Sequence, residues 1–421
     1  METIKINNNI SLHYIEMKKL KTTDIGIYIR RGLSEDDASK NALLPYVLKS
    51  GCKQYPTNLE IAKKLKDLYG ATLDSGVIKN GNSQVIFINS ETISDKFAPE
   101  GESLSQDLMD LLMSIIFKPL TENGAFSKEF VEREKTTVKN KIQALINDKR
   151  SYAATRCTQE VCKNDVFSIS KYGSEESVDR IDEKLLYEHY KKIITSSQVD
   201  IFVCGDADIK KLNDKIKEYT NNLEFSEFEA VENTVIKASD KKDVCERMDV
   251  TQGKLSIGFT TGICAKDNEY PALVIANSIY GAGTHSKLFN NVREKLSLAY
   301  YSSSQLNKYK GIIIVNAGIE FKNFQKAYDE SILQLEEIKK GNISDDELAF
   351  SKSTIINNLD TYYDDQRYMQ LYVLDCLYLG INPDLEAYKE KINAVTKNDV
   401  INVIKNASEN TVYFLAGKSE N

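Results

Sequence analysis

The chain has 421 residues, of which 41% are hydrophobic and 28% charged, enough apolar material for more than one core and a length at which chains divide into two or more domains. A net charge of -7 with no concentrated basic block excludes nucleic acid and anionic membrane as electrostatic partners. No run approaches the roughly 18 apolar residues of a membrane span, and the opening METIKINNNI lacks the charged and apolar regions of a signal peptide, so a cytoplasmic protein is expected. The seven cysteines (Cys52, Cys157, Cys162, Cys204, Cys245, Cys264 and Cys376) include no C-x-x-C pair and sit singly in apolar contexts. That pattern predicts small buried hydrophobes, not a zinc knuckle or a disulfide framework.

In chain order, IKINNNISLHYIEM and TDIGIYIRRG alternate apolar and polar residues and predict two strands, the second ending at Gly32. Helical spacing follows, with Leu44, Val47 and Leu48 on one face and Gly51 as a helix end. A second stripe, Leu59, Ala62, Leu65 and Leu68, is closed by Gly70. Strands return at ATLDSGVIKNG and NSQVIFINS. Helical patterns then cover residues 104–117, 128–146, 151–162 and 183–194, before a strand at VDIFVCGDAD.

The same order recurs after residue 243. KLSIGFTTG ends at Gly262 as the earlier strand ends at Gly32, Asn316 in GIIIVNAGIE answers Asn89, and Gly417 in VYFLAG answers Gly205. Between these lie helical YPALVIANSIYG and SKLFNNVREKL, the strand SLAYYSSSQL, and helices over residues 323–340, 345–359 and 366–379. Similar elements in one order predict a duplicated domain of roughly two hundred residues. Residues 221–243 are polar, without sustained period, and read as a linker between domains at 1–220 and 244–421. Strands, helical blocks and a return strand in each half predict an α+β fold, each domain a mostly antiparallel sheet with helices packed on one face.

The three histidines, His13, His189 and His285, are far apart in sequence, and no helix carries two potential zinc ligands one turn apart. His13 in a strand and His189 in a charged helix are expected in packing or surface roles. No G-x-S-x-G elbow is present, and no Ser or Cys stands in a nucleophile setting. The GAG turn, Gly281 to Gly283, precedes a helix that Thr284 or Ser286 could cap, so its amides could hold an anion. It lacks a P-loop Lys-Ser/Thr pair and the full dinucleotide fingerprint, and a flexible turn allowing close backbone approach is the better reading. In HSKLFNNVREKLSLAYYSSSQL, Leu288, Val292 and Leu296 form an apolar stripe. Arg293 lies one step off it, and Tyr300 opens the next strand. A guanidinium and a phenol at such a corner supply several donors to a carbonyl or oxyanion. From the residues alone, an Arg293 that pairs with a carboxylate and a Tyr300 that packs are the simpler account.

SKLFNNVREKLSLAYYSSS resembles the C-terminal-domain signature of the insulinase/pitrilysin metallopeptidases, in which an Arg and a Tyr seven residues apart bind the substrate backbone beside the zinc. Arg293 and Tyr300 match that spacing. YVLKSGCKQYP resembles the segment that follows the inverted zinc motif H-x-x-E-H in active members. Aligning on Gly51 and Tyr55-Pro56 puts the motif on Ala42, Leu43, Leu44, Pro45 and Tyr46, so both histidines and the glutamate are missing. EREKTTVKNKI is similar to the helix carrying the third ligand. In that register Glu134 is kept and the ligand position falls on Lys141.

The resemblance covers nearly the whole chain and implies a clamshell of two homologous domains with no zinc of its own, because a metal-activated water needs the cation and these residues do not rebuild its site. Pro45 removes a backbone donor, which predicts a motif helix that starts late or kinks. The family includes two-chain forms in which one subunit keeps the zinc motif and its sibling keeps the Arg and Tyr. This chain resembles the second type, and among its members the bacterial insulinase-like proteins named for elongation factor P modification. The expectation is a metal-free subunit of a heterodimeric zinc peptidase. It would bind a peptide or small-protein substrate through Arg293 and Tyr300, while a zinc-bearing sibling supplies metal and general base. The alternative is a non-hydrolytic peptide-binding or scaffold subunit.

Overall fold

The structure, a computed structural model, describes residues 1–418. The opening alternation is broken at its asparagines. The Asn7 side chain accepts from the backbone N–H groups of Asn9 and Ile10, both at 2.8 Å, and turns the chain back on itself. The first expected strand is therefore a hairpin of Glu2–Lys5 and Ile10–Glu16, followed by Thr22–Gly32. These join a six-stranded sheet in the order Glu2–Lys5, Ile10–Glu16, Gln198–Gly205, Thr22–Gly32, Ser83–Ile93, Asp74–Asn80. Only the pairing of Ile10–Glu16 with Gln198–Gly205 is parallel. On one face Ile25, Ile27 and Ile29 meet Leu43, Val47, Leu108 and Leu112 from the helices Glu35–Lys49 and Leu104–Phe117 in a core with residues at or near zero exposure.

A second sheet repeats this plan. Its order is Ala299–Asn307, Ile312–Ile319, Gly253–Thr260, Ser408–Gly417, Lys242–Met248, again with one parallel pair, here at the sheet edge, Ser408–Gly417 with Lys242–Met248. Asn316 pairs with Ser256 as Asn89 pairs with Gly26, so the duplication read from the sequence is present in the strand pairing. Lys242–Met248 begins inside the segment read as linker. It was illegible as a strand because its alternation, KDVCERM, sets only partly buried residues against exposed ones. Residues 221–241 form no strand or helix.

Most expected helices are present, and the structure adds Ile209–Thr220, Leu385–Ala394 and Lys397–Lys405. These are short and lysine-rich, with two or three buried side chains each, too few for a clear stripe. Two stripes shift. In Asn58–Asp67 the buried side chain is Ile61, with Leu68 just beyond, whereas Leu59 is exposed. In Leu288–Lys295 the turns are π-helical: Leu296 N bonds to Asn291 O, five residues back. The wider turn carries Leu296 off the face that buries Leu288 and Val292. Six cysteines are buried as expected, but Cys245, on the strand Lys242–Met248, is exposed. No helix among the described residues is long and apolar enough to cross a membrane.

The chain divides into two compact units that are not contiguous in sequence. The first comprises Met1–Ile142, Ile169–Glu232 and Tyr362–Asp375; the second comprises Gln143–Ser168, Asn233–Thr361 and the chain from Cys376 onward. Each sheet is thereby covered on the face away from its main core by a helix from the other half of the sequence. In the second unit, Lys149–Val161 sets Ala153, Cys157 and Val161 against Ile312, Ile314, Tyr413 and Leu415. In the first, the helix Gln366–Leu379 lays polar residues on the sheet. Gln366 Nε2 donates to the carbonyls of Thr22 and Cys204 at 2.7 and 3.0 Å, and Gln370 receives the Tyr28 hydroxyl at 3.0 Å. The α+β expectation holds, and the helices occupy both faces of each sheet.

Candidate functional site

The helix Glu35–Lys49 begins early. Ser34 accepts from the Asp37 N–H, and Glu35, Asp36 and Asp37 place negative charge on the first turn, where it opposes the helix dipole. The late start expected from Pro45 is absent: the helix runs through Pro45 to Lys49, held by burial of every residue from 41 to 48. A proline inside a helix costs about 3 kcal/mol, which this depth of packing outweighs. Ala42, Leu43 and Leu44 are core residues, and Tyr46 is 7% exposed.

The neighbouring helix Lys128–Asn147 brings Lys141 to Tyr46, with Nζ 5.3 Å from the ring centroid. One turn along the first helix, Ser50 Oγ donates to Tyr46 O at 2.9 Å and lies 3.2 Å from Glu134, whose carboxylate also takes the Arg133 guanidinium at 2.9 Å. The helices thus bring Tyr46 to Lys141 and Ser50 to Glu134. The loop after Val166–Ser168 adds Lys171 and Tyr172, which carried no sequence signal because no spacing relates them to either helix. Burial, with the charges of Tyr172, Asp74 and Glu134, pushes the Tyr46 phenol above its ordinary range. Burial and then the charge of Lys141 hold the Lys171 ammonium below its ordinary range.

Zinc takes His, Cys and carboxylate donors. Ala42, Tyr46 and Lys141 provide none, and no group of three His, Cys, Asp or Glu side chains able to hold a metal ion occurs among the described residues. The residues at these positions do not fit the ion. The histidines serve packing instead. His13, 2% exposed, stands 3.0 Å from Asp200 and 3.0 Å from Thr3 Oγ1. His189 Nε2 is 2.8 Å from Asn41 Oδ1 on the helix Glu35–Lys49, and its burial depresses its pKa to about 4. His285 lies 3.2 Å from Ser278 Oγ and 3.0 Å from Ser351 Oγ.

In the second unit, Arg293 stands near the end of Leu288–Lys295, its guanidinium 4.6 Å above the Phe289 ring and 3.6 Å from the Glu294 carboxylate. Ser297, at φ 48°, turns the chain into the strand that bears Tyr300, and the Tyr300 side chain is 56% exposed. No hydrogen bond joins Arg293 to Tyr300 among the described residues. The glycine turn is close-packed. Gly281 O accepts from Ser304 N at 2.9 Å, and a Cβ on Gly281 would sit 2.6 Å from that nitrogen. Ser286 Oγ accepts from Phe289 N at 3.4 Å and donates to Gly283 O at 2.6 Å, so Ser286, not Thr284, meets the helix start.

Residues 180–355 match the family model described as the Peptidase M16 inactive domain. Over 411 residues, 98% of this chain and 96% of the relative, the sequence is 33% identical to the probable inactive metalloprotease YmfF of Bacillus subtilis (strain 168). It is 22% identical over 256 residues, 60% of each chain, to the uncharacterized zinc protease YmxG of the same organism. The fold matches the crystal structure of a conserved protein from Enterococcus faecalis V583 with a TM-score of 0.90 and 27% identity, covering 100% of this chain and 99% of that one. Matched over nearly its whole length by a probable inactive metalloprotease, the chain belongs to the M16 peptidase family as a non-catalytic member.

Proposed function

We propose that the chain is the metal-free partner in a two-chain zinc peptidase, binding the backbone of a peptide or small protein through Arg293 and Tyr300. A sibling chain supplies the zinc, its ligands and the general base. The observation that carries this reading is the availability of the pair. Tyr300 is 56% exposed, and among the described residues Arg293 has an adjacent glutamate at 3.6 Å and a ring beneath it. Tyr28 and Tyr280, by contrast, are buried in the core. The existence of a relative named as a zinc protease supports a sibling of the required kind. The test is the complex reconstituted from this chain and its zinc-bearing sibling. Arg293→Ala is expected to lower kcat/KM about ten- to a thousandfold, the scale of a lost oxyanion donor. Full activity in that variant complex would remove Arg293 from the site. Recovery of the native chain from cells only alone or as a homo-oligomer would favour a binding or scaffold subunit.

A further inference from the structure

We propose that Tyr46 and Lys141, aligned above with zinc-motif positions, form a carboxylate-binding site with Lys171 and Tyr172, made by the two ammonium groups beside the two rings. All four lie in the first compact unit. Lys141 Nζ is 5.3 Å from the Tyr46 ring and Lys171 Nζ is 5.0 Å from the Tyr172 ring. Both lysines are half-buried. The segment that bears Lys171 and Tyr172 is held to the helix of Tyr46, where Ser39 Oγ donates to Tyr172 O at 3.2 Å, and to the sheet, where Gln84 Nε2 donates to Lys171 O at 2.7 Å. The charge of Lys141 adds to the burial that disfavours the charged form of Lys171.

Among the described residues neither ammonium is paired with a carboxylate. The nearby Glu134 is engaged by Arg133 and Ser50, and Asp74 accepts from the Ser75 N–H. Partly desolvated like charges facing aromatic rings are a net cost to the fold, which a cation–π contact offsets in part. A bound anion offsets that cost with charge-assisted hydrogen bonds. Two ammonium ions carry about the positive charge of a divalent metal ion, but they have no open coordination position and activate no water. The site therefore holds a carboxylate without chemistry. The choice of a carboxylate rests on the peptide-binding reading above, and two sources share that chemistry, a peptide C-terminus and a Glu or Asp side chain.

Calorimetric titration of the purified full-length chain tests this with three probes: acetyl-tetraalanine as the free acid, the same peptide as its C-terminal amide, and acetyl-Ala-Glu-Ala-amide. One or both carboxylate peptides should bind at least tenfold more tightly than the amide. Lys141→Met or Lys171→Met should weaken that binding about ten- to a hundredfold, the scale of a lost hydrogen bond to a charged group. Lys141→Arg, which keeps both charge and helix, should retain the preference. Tighter binding of the tetraalanine acid assigns the site to a C-terminus, and tighter binding of the glutamyl peptide assigns it to a side chain. Equal or absent binding of acids and amide, unchanged affinity in the double methionine variant, or loss of the preference in Lys141→Arg would overturn the proposal. These titrations need no sibling chain, so a fully active Arg293→Ala complex would sink the shared-site reading and leave this one standing.

Discussion

Asp24 is the residue whose surroundings most change its chemistry. It lies on the strand Thr22–Gly32, 8% exposed, and accepts from Gln370 Nε2, with Arg367 also favouring its charge while Glu91 and Asp365 oppose it. Burial dominates and pushes its pKa up to about 7. The fold then holds the Asp24 proton more tightly than the unfolded chain, whose carboxyl titrates near 4. This contribution to stability is fully present below about pH 4, falls as pH rises, and is gone above about pH 7. Asp24→Asn, which keeps an acceptor for Gln370, should be more stable than the native protein at pH 8 by about 2–4 kcal/mol, with the difference vanishing near pH 4. Urea unfolding at both pH values checks this, and an equal difference at the two would contradict it. His189 acts in the opposite sense: buried neutral, it withdraws stability as pH falls from about 6.5 toward its depressed value. Neither residue was legible as titratable machinery, because a lone Asp in an alternating strand and a lone His in a charged helix look like surface residues until the covering elements are known.

At the scale of elements, each sheet meets its visiting helix across a glycine. A Cβ on Gly26 would lie 2.2 Å from Gln370 Oε1 and 2.5 Å from Asn89 Nδ2, and one on Gly258 would lie 2.3 Å from Val161 Cγ2. Gly258→Ala should cost about 1–3 kcal/mol by overpacking. Val161→Ala in the same chain should return part of that loss by opening the space. Gly26→Ala should cost at least as much, because moving Gln370 breaks its bonds to Tyr28 and Asp24. Denaturant midpoints of these variants decide the matter, and a neutral Gly258→Ala would mean the helix is not seated as described. Alternation around these glycines identified the strands, and 3.6-residue spacing identified the helices Leu104–Phe117 and Gln366–Leu379 to the residue. The spacing failed at Leu288–Lys295, where π-type hydrogen bonds change the period.

For the whole molecule, the exchange of helical segments makes each compact unit incomplete in its own half of the sequence. Residues 1–232 alone lack Tyr362–Asp375, and with it the anchors Gln366 and Gln370 on a sheet face that carries Asp24, Tyr28 and Asn89. Expressed alone, this half should unfold without a sharp transition. Addition of a peptide spanning residues 361–380 should restore cooperativity, as followed by thermal circular dichroism. A half-chain that melts cooperatively at the native temperature would show that the visiting helix is dispensable.

Two consequences were carried by the sequence alone. The duplication and the α+β class followed from hydrophobic periods, which depend only on neighbours along the chain. The mismatch between residues 42–46 and a zinc motif followed from residue types, since alanine and tyrosine cannot become histidine in any fold. Tertiary structure alone decided which helix covers which sheet, that Pro45 is tolerated inside a helix, and that Lys141 stands over the Tyr46 ring. Those outcomes depend on contacts between segments far apart in the chain, and the desolvation that sets Asp24, His189 and Lys171 apart from ordinary surface charges exists only once the segments are packed.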